Sequence, residues 1–394
     1  MTTKTTFSIP YGKQNITQDD INAVVETLQA DFLTQGPKID EFESKFADYV
    51  GSKYAVAVSN GTAALHLCAL ALNVNEKSKV ITTPITFAAS ANCIKYCGGE
   101  VVFVDIDPKT SLIDLDKVEE LLKSNPKGTF EGMIPVDFMG LPVNLEKARK
   151  LADEYGLWII EDACHAPGGY FIDSQNRKQS CGNGAYADLA IFSFHPVKHI
   201  ASGEGGMITT SDKALYDKLV KLRTHGITKN PELLQENLPS NGGWYYEMQE
   251  LGYNYRIPDI LAALGISQLS RANEMMQKRQ EIAGRYDEAF KDTKICFFQY
   301  PREGKNKIFH AYHLYVIQTE NRKGLYDYLR ENNIFAQVHY IPVHTMPYYQ
   351  SLGYKKGDFP SAESYYESCL SLPMYPTLTE EEQNFVIEKV LSFI

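Results

Sequence analysis

The stretch Leu189-Ala-Ile-Phe-Ser-Phe-His-Pro-Val-Lys-His-Ile-Ala-Ser-Gly-Glu-Gly-Gly-Met-Ile-Thr-Thr210 holds two short apolar runs on either side of a polar, glycine-rich excursion. The runs, Asp188 to Ser193 and Gly206 to Thr210, are rich in β-branched and aromatic residues and read as strands. Five more runs of this kind precede them: Ala55 to Ser59, Lys79 to Thr83, Val101 to Val104, Met133 to Val136 and Leu157 to Glu161. Helix-like segments separate them, among them Thr62 to Leu72, Leu115 to Leu122 and Leu145 to Tyr155. Alternation of strand and helix predicts an α/β domain with a mostly parallel sheet. The nearly continuous apolar strands predict burial on both faces.

The texture changes after about residue 260. A long helical stretch runs from Asp259 to Lys291, interrupted only by Gly265 and Gly284. A strand follows at Ala311 to Ile317, then a helix near Lys323 to Asn332 and a closing helix from Thr379. This reads as a smaller α+β domain, so the expected division is residues 14–258 for the large domain and 259–394, with 1–13, for the small one. Thr228 to Gly252 is polar and broken by Pro and Gly, and reads as an active-site or interface loop.

Composition narrows the functional classes. A chain of 394 residues can bury a large core. A formal net charge of −10 argues against bulk nucleic-acid binding, and an anionic ligand would need a local basic pocket. The first residues lack an apolar signal region, and no apolar run spans a bilayer, so the expected location is the cytoplasm with no membrane partner. The seven cysteines are scattered and read as reduced thiols. His195 with His199, and His339 with His344, have suggestive spacings but no supporting Cys or carboxylate pattern, so no metal is expected.

Lys198 carries the chemistry. On the surface it would be an ordinary solvated lysine. Desolvated behind a strand, its amine becomes a nucleophile toward carbonyls and suits a Schiff base with pyridoxal phosphate (PLP), the electron sink for amine chemistry. Ser59-Asn-Gly-Thr-Ala-Ala64 joins a strand to a helix, where free N–H groups, Gly61, Thr62 and Ala63 can cradle a phosphate; otherwise it is a plain N-cap turn. Phe87 follows the second strand and can stack on a planar ring or fill the core. Asp162 and His165 close a buried strand, where parallel sheets bind ligands. Asp162 can hold a pyridine nitrogen protonated, and His165 can meet the ring's phenolic oxygen; a helix cap and a structural histidine are the plain alternatives. The Ser193 hydroxyl can join the phosphate cup.

These motifs, in this order, resemble the DegT/DnrJ/EryC1/StrS sugar aminotransferases, fold-type I PLP enzymes, over nearly the whole chain. The resemblance implies a large αβα domain with a seven-stranded mostly parallel sheet and a smaller α+β C-terminal domain. It implies Lys198 as Schiff-base lysine, general base and general acid. It further implies Asp162 as pyridine-nitrogen partner, His165 beside the phenolic oxygen, Phe87 as stacking aromatic, and Thr62, Ala63 and Ser193 as phosphate contacts. Asn254 is implied to reach the partner's phosphate across a homodimer with shared sites.

Pro84-Ile-Thr-Phe-Ala88, His165-Ala-Pro-Gly168, Ser193 to Lys198 and Ala336 to Val343 are similar to the branch of the family that serves pseudaminic acid formation. That branch takes a UDP-linked 4-keto-6-deoxy-N-acetyl sugar of the L-arabino series, with glutamate as amino donor and pyridoxamine phosphate between the two halves. Sugar-nucleotide contacts are then implied for Tyr11, Asp31, Phe32, Leu33, Thr34, Gly61, Tyr340, Ile341, Pro342 and Val343. Lys229 and Arg256 are local sources of positive charge. Three other readings stand beside this one. A sugar dehydratase of the same fold would carry His in place of Lys198. A non-catalytic sugar-binding regulator would tolerate loss of Lys198 or Asp162. An aminotransferase for a GDP-, dTDP- or other UDP-linked 4-keto sugar would share every motif.

Overall fold

A computed structural model describes residues 7–236, 242–298, 300–302 and 307–394. Seven strands build the main sheet: β1 (Tyr54–Val58), β2 (Lys79–Thr82), β3 (Glu100–Phe103), β4 (Gly132–Ile134), β5 (Trp158–Asp162), β6 (Leu189–Ser193) and β7 (Gly206–Thr210). Their order across the sheet is β1-β7-β6-β5-β4-β2-β3. Only β7 runs against its neighbours, pairing antiparallel with both β1 and β6. The remaining neighbours pair in parallel, so the carboxyl ends of six strands lie along one edge. All seven strands expected for this sheet are present, with ends displaced by at most two residues.

The strands are apolar throughout because helices cover both faces. Val56, Val58, Ile160, Ile191 and Ile208 pack with the helix Gly61–Ala71. Ile81, Met133 and Ile159 pack with Val118 and Leu122 and with Ala148 and Leu151. Helix Gly61–Ala71 starts where Asn60 Oδ1 accepts the Ala63 N–H at 2.8 Å. That cap fixes the turn after β1.

The stretch expected to form one helix from residue 259 is two, Asp259–Ser270 and Ala272–Phe290. The chain bends at Arg271, whose φ of −116° leaves the helical range. The first of these helices packs on Pro37–Val50, and a Cβ at Gly265 would stand 2.6 Å from the Phe42 ring. Ala262 and Leu269 share the core of Phe42, Phe46, Phe192 and Phe194, so this helix belongs to the packing of the main sheet. A second core gathers Ile9, Ile282, Tyr286, Phe290, Ile317, Leu329, Leu370 and Val390. Around it Tyr315–Gln318 pairs antiparallel with Cys369–Leu372, and Ile9–Pro10 runs parallel to Ile334–Phe335.

The strand expected at Ala311 to Ile317 begins only at Tyr315. Tyr312 takes φ 48°, a left-handed conformation that breaks strand geometry. The buried Arg279 guanidinium donates to the carbonyls of Tyr312 (3.0 Å) and Met374 (3.0 Å) and holds this kink in place.

Candidate active site

One cavity of about 660 Å³ opens at the carboxyl edge of the sheet. The turns after β1, β2, β5 and β6 reach it, as the ligand-binding edge of a parallel sheet should. Tyr11, His313, His339 and Tyr340 close the opposite wall.

Lys198 lies in the excursion between β6 and β7, which is clamped at both ends. Phe194 N–H donates to Gly205 O at 2.8 Å, and Ser202 N–H donates to Phe194 O at 2.9 Å. The Lys198 side chain enters the cavity, with Nζ 3.4 Å from His313 Nε2. Burial removes water from the amine and lowers its pKa from 10.5 to about 8, against the attraction of Cys164 and Asp162. The amine is therefore available as a nucleophile near neutral pH.

Asp162 ends β5 and is 5% exposed. Its Oδ2 accepts the Ser90 hydroxyl at 2.6 Å, and its Oδ1 accepts the Cys164 N–H at 3.2 Å. Ser90 in turn pairs with the Thr86 hydroxyl at 2.8 Å. Two donors fix this carboxylate at the cavity wall, in position to face a cationic ring nitrogen.

His165 Nδ1 accepts the Met139 N–H at 3.2 Å, so the ring proton sits on Nε2. Nε2 lies 3.2 Å from the Tyr340 hydroxyl. Burial keeps His165 neutral, with its pKa well below the usual value, and Lys198 adds to the effect. The His313 ring packs against His165 at a tilt of 43°, with ring centres 4.3 Å apart.

Thr62, Ala63 and Ser193 line the cavity beside Gly61. A Cβ on Gly61 would stand 3.0 Å from Ser193 Cβ, so glycine keeps this cup open. The cup lies at a helix N-terminus, whose dipole and first-turn N–H groups suit an anion. Phe87 is 62% exposed at the cavity, unusual for a ring of its size. Cup, exposed ring, carboxylate and lysine fit the phosphate, aromatic face, ring nitrogen and aldehyde of PLP.

The expected residues divide. Lys198, Asp162, His165, Thr62, Ala63, Phe87, Ser193, Gly61, Tyr11 and Tyr340 meet in the cavity. Asp31, Phe32, Leu33 and Thr34 form an exposed turn outside it. Ile341 is exposed and Pro342 buried, and neither lines it. Val343 departs from its expected contact role: it is fully buried in the core with Val80 and Tyr349, and its N–H binds Pro84 O. Asn254, Arg256 and Lys229 also lie outside this chain's cavity, although Tyr255 lines it. So does every described residue of the loop from 228 to 252.

Reading the sequence missed Ser90, Thr86, His313 and His339. Ser90 sits three residues beyond Phe87, and only the fold brings it to Asp162. His313 was hidden in the strand expected at 311–317. His339 and His344 do not pair with each other: His339 Nδ1 meets Ser371 Oγ at 2.9 Å and His344 Nε2 meets Glu363 at 2.9 Å.

The chain is similar to known proteins over nearly its whole length. Residues 14–391 match the model of the DegT/DnrJ/EryC1/StrS aminotransferase family. The chain is 39% identical to the spore coat polysaccharide biosynthesis protein SpsC of Bacillus subtilis, over 100% of this chain and 99% of that protein. It is 36% identical to a Campylobacter jejuni UDP-4-amino-4,6-dideoxy-N-acetyl-beta-L-altrosamine transaminase, over 98% of this chain and 97% of the other. The PLP form of a putative sugar aminotransferase, Spr1654 from Streptococcus pneumoniae, superposes with a TM-score of 0.86. That structure is 27% identical and the match covers 98% of this chain and 99% of that one.

Proposed function

Because the chain belongs to the DegT/DnrJ/EryC1/StrS aminotransferase family, we propose that it aminates the 4-keto group of a UDP-linked 6-deoxy-N-acetyl sugar of the L-arabino series, with glutamate as donor. The chain is a PLP-dependent sugar aminotransferase acting on a nucleotide sugar. No helix among the described residues is long and apolar enough to cross a membrane. The finer reading draws support from the match to the altrosamine transaminase and from a cavity walled by neutral polar rings.

The observation that carries the chemistry is the convergence of Lys198 and Asp162 on one cavity. When bound, PLP supplies the carbonyl that captures an amine and the ring that delocalises the electrons left by proton loss. Lys198 anchors the cofactor, then moves a proton as a free amine. Asp162, oriented by Ser90 and the Cys164 N–H, holds the positive charge on the ring nitrogen. His165 offers its Nε2 proton to oxygen atoms at the wall, and Gly61 to Ala63 with Ser193 hold the phosphate.

The active unit in this reading is a homodimer. Among the described residues, Lys198 is the one lysine or arginine lining the cavity, yet both substrates are anionic. Lys229, Asn254 and Arg256 lie outside it, on or beside a loop whose Trp244 and Leu251 are each 77% exposed. Asn254 and Arg256 supplied by a second copy would complete an anion site.

The test is incubation with glutamate and a panel of 4-keto nucleotide sugars, with products read by mass spectrometry. Amination of the UDP-linked acetamido sugar well above GDP- and dTDP-linked sugars without the acetamido group is the expected result. Equal kcat/KM across the panel would overturn the substrate assignment, and no amination of any would overturn the activity.

A further inference from the structure

Behind the cavity wall lies a second group of acids that the reaction does not use. Asp137, Glu161 and Cys181 are 0%, 1% and 2% exposed, and their ligand-type atoms all lie within 4.8 Å of one another. Asp137 follows β4, Glu161 precedes Asp162 on β5, and successive residues of a strand face opposite sides. Glu161 is therefore buried on the side of the sheet away from Asp162.

Each carboxylate has one satisfied oxygen. Asp137 Oδ1 accepts the Val143 N–H at 2.8 Å, and Glu161 Oε2 accepts the Gly182 N–H at 3.0 Å. The other two oxygens, Asp137 Oδ2 and Glu161 Oε1, are buried without a partner. No lysine or arginine pairs with either group among the described residues. The other titratable groups that act on them are Cys181 and Asp162, neither of them a cation. Two adjacent carboxylates in such a setting cannot both stay ionised. A single proton between the two bare oxygens turns two unsatisfied acceptors into one hydrogen bond.

We infer that Asp137 and Glu161 share one proton, and that this singly protonated pair positions the backbone that presents Asp162. Burial raises Asp137 to about 6 and Glu161 well above the ordinary carboxyl value, in agreement with the geometry. The link to Asp162 is short. Asp137 N–H donates to Asp162 O at 3.0 Å, and Asp162 N–H donates to Pro135 O at 2.9 Å. An unprotonated pair would push these two strand ends apart where Asp162 leaves the sheet. The proton sharing needs no ligand; only its bearing on catalysis rests on the functional reading above.

The sign follows from the raised values. The folded chain keeps a proton that the unfolded chain releases above the ordinary carboxyl value of 4.5. Stability from the pair is full below that value and is lost as pH rises toward the folded value. Glu161→Gln keeps the hydrogen bond, with an amide donor, but needs no proton. Unfolding by guanidinium should be followed from about pH 5 to about pH 8, with and without added PLP. The ratio of wild-type to Glu161→Gln unfolding constants should rise by up to about tenfold per pH unit within the window. An infrared band of a protonated carboxyl should be present in the wild type at neutral pH and absent from Glu161→Gln. Should that variant not fold, Asp137→Asn reports the same two quantities.

A pH-independent ratio, or no protonated-carboxyl band, would overturn the shared proton. So would a divalent metal found in stoichiometric amount by elemental analysis, since a cation would then occupy the place given to the proton. For the positioning role, Asp137→Ala should lower kcat with KM little changed, and Glu161→Gln should retain kcat at low pH. An Asp137→Ala enzyme with unchanged kcat would remove that role. None of these results depends on which sugar is the substrate.

Discussion

Lys198 Nζ lies 3.4 Å from His313 Nε2, and that imidazole is held neutral by burial with Lys198 itself as a second cause. A neutral imidazole can accept a hydrogen bond from the lysine, and an imidazolium could not. The pair gives the free amine a resting position whenever it is not joined to the cofactor.

Removing this acceptor should leave the amine less well ordered. His313→Ala should slow the second half-reaction by about tenfold, the value of one hydrogen bond to a charged or polar donor. His313→Gln, which still offers an acceptor, should recover part of it. Single-turnover measurement of each half-reaction separates the effect from cofactor loss.

The pKa of Lys198 gives two readouts. Labelling of the cofactor-free protein by an amine-specific reagent should rise through pH about 8 at Lys198, well before surface lysines. Lys198→Met removes the burial of a charge. Below pH 8 it should be the more stable protein, by about 3 kcal/mol. The gap should close as pH rises from about 8 to 10.5, because the wild-type lysine is then neutral in both states. A gap that widened with pH would contradict the burial argument.

Asp162 and Ser90 should fall in order. Asp162→Ala should abolish measurable turnover, since removing one partner of a buried ion pair costs about 3–5 kcal/mol. Ser90→Ala removes only the hydroxyl at 2.6 Å and should cost about 1.5–3 kcal/mol of transition-state stabilisation. It should also shift the cofactor's absorption band, which a purely structural change would leave alone.

Gly61→Ala tests the cup. The added methyl would crowd Ser193 at 3.0 Å. Affinity for PLP should fall while the melting temperature of the cofactor-free protein changes little, a split read by equilibrium dialysis and calorimetry.

Shared sites predict complementation. Lys198→Ala and Asn254→Ala, each inactive alone, should regain about a quarter of wild-type activity when mixed in equal amounts. Half of the dimers formed at random are mixed, and each mixed dimer keeps one intact site. Full activity of a monomer in sedimentation would refute this arrangement.

The sheet was legible because all seven strands are short and apolar, and helices separate the first five of them. Lys198, Asp162 and the Asn60 turn were legible because each lies at or shortly beyond the carboxyl end of a strand. His313 was not, because Ala311 to Ile317 has strand composition while a buried arginine from another helix imposes the kink at Tyr312. Val343 was misplaced for the converse reason: a motif gives neighbourhood, but only packing decides whether a side chain faces ligand or core. Ser90 needed the third dimension, since 72 residues separate it from Asp162.

The excursion that carries Lys198 leaves one strand and returns on its antiparallel neighbour, with both feet pinned by hydrogen bonds to Phe194. Such a loop is a closed circuit of fixed length. A residue inserted or deleted between Ser193 and Gly206 has nowhere to be absorbed, because either foot would have to slip in register and turn its strand inside out. Substrate range can therefore drift through the turns on the far wall, while the segment bearing the reactive amine is free to change its side chains but not its count.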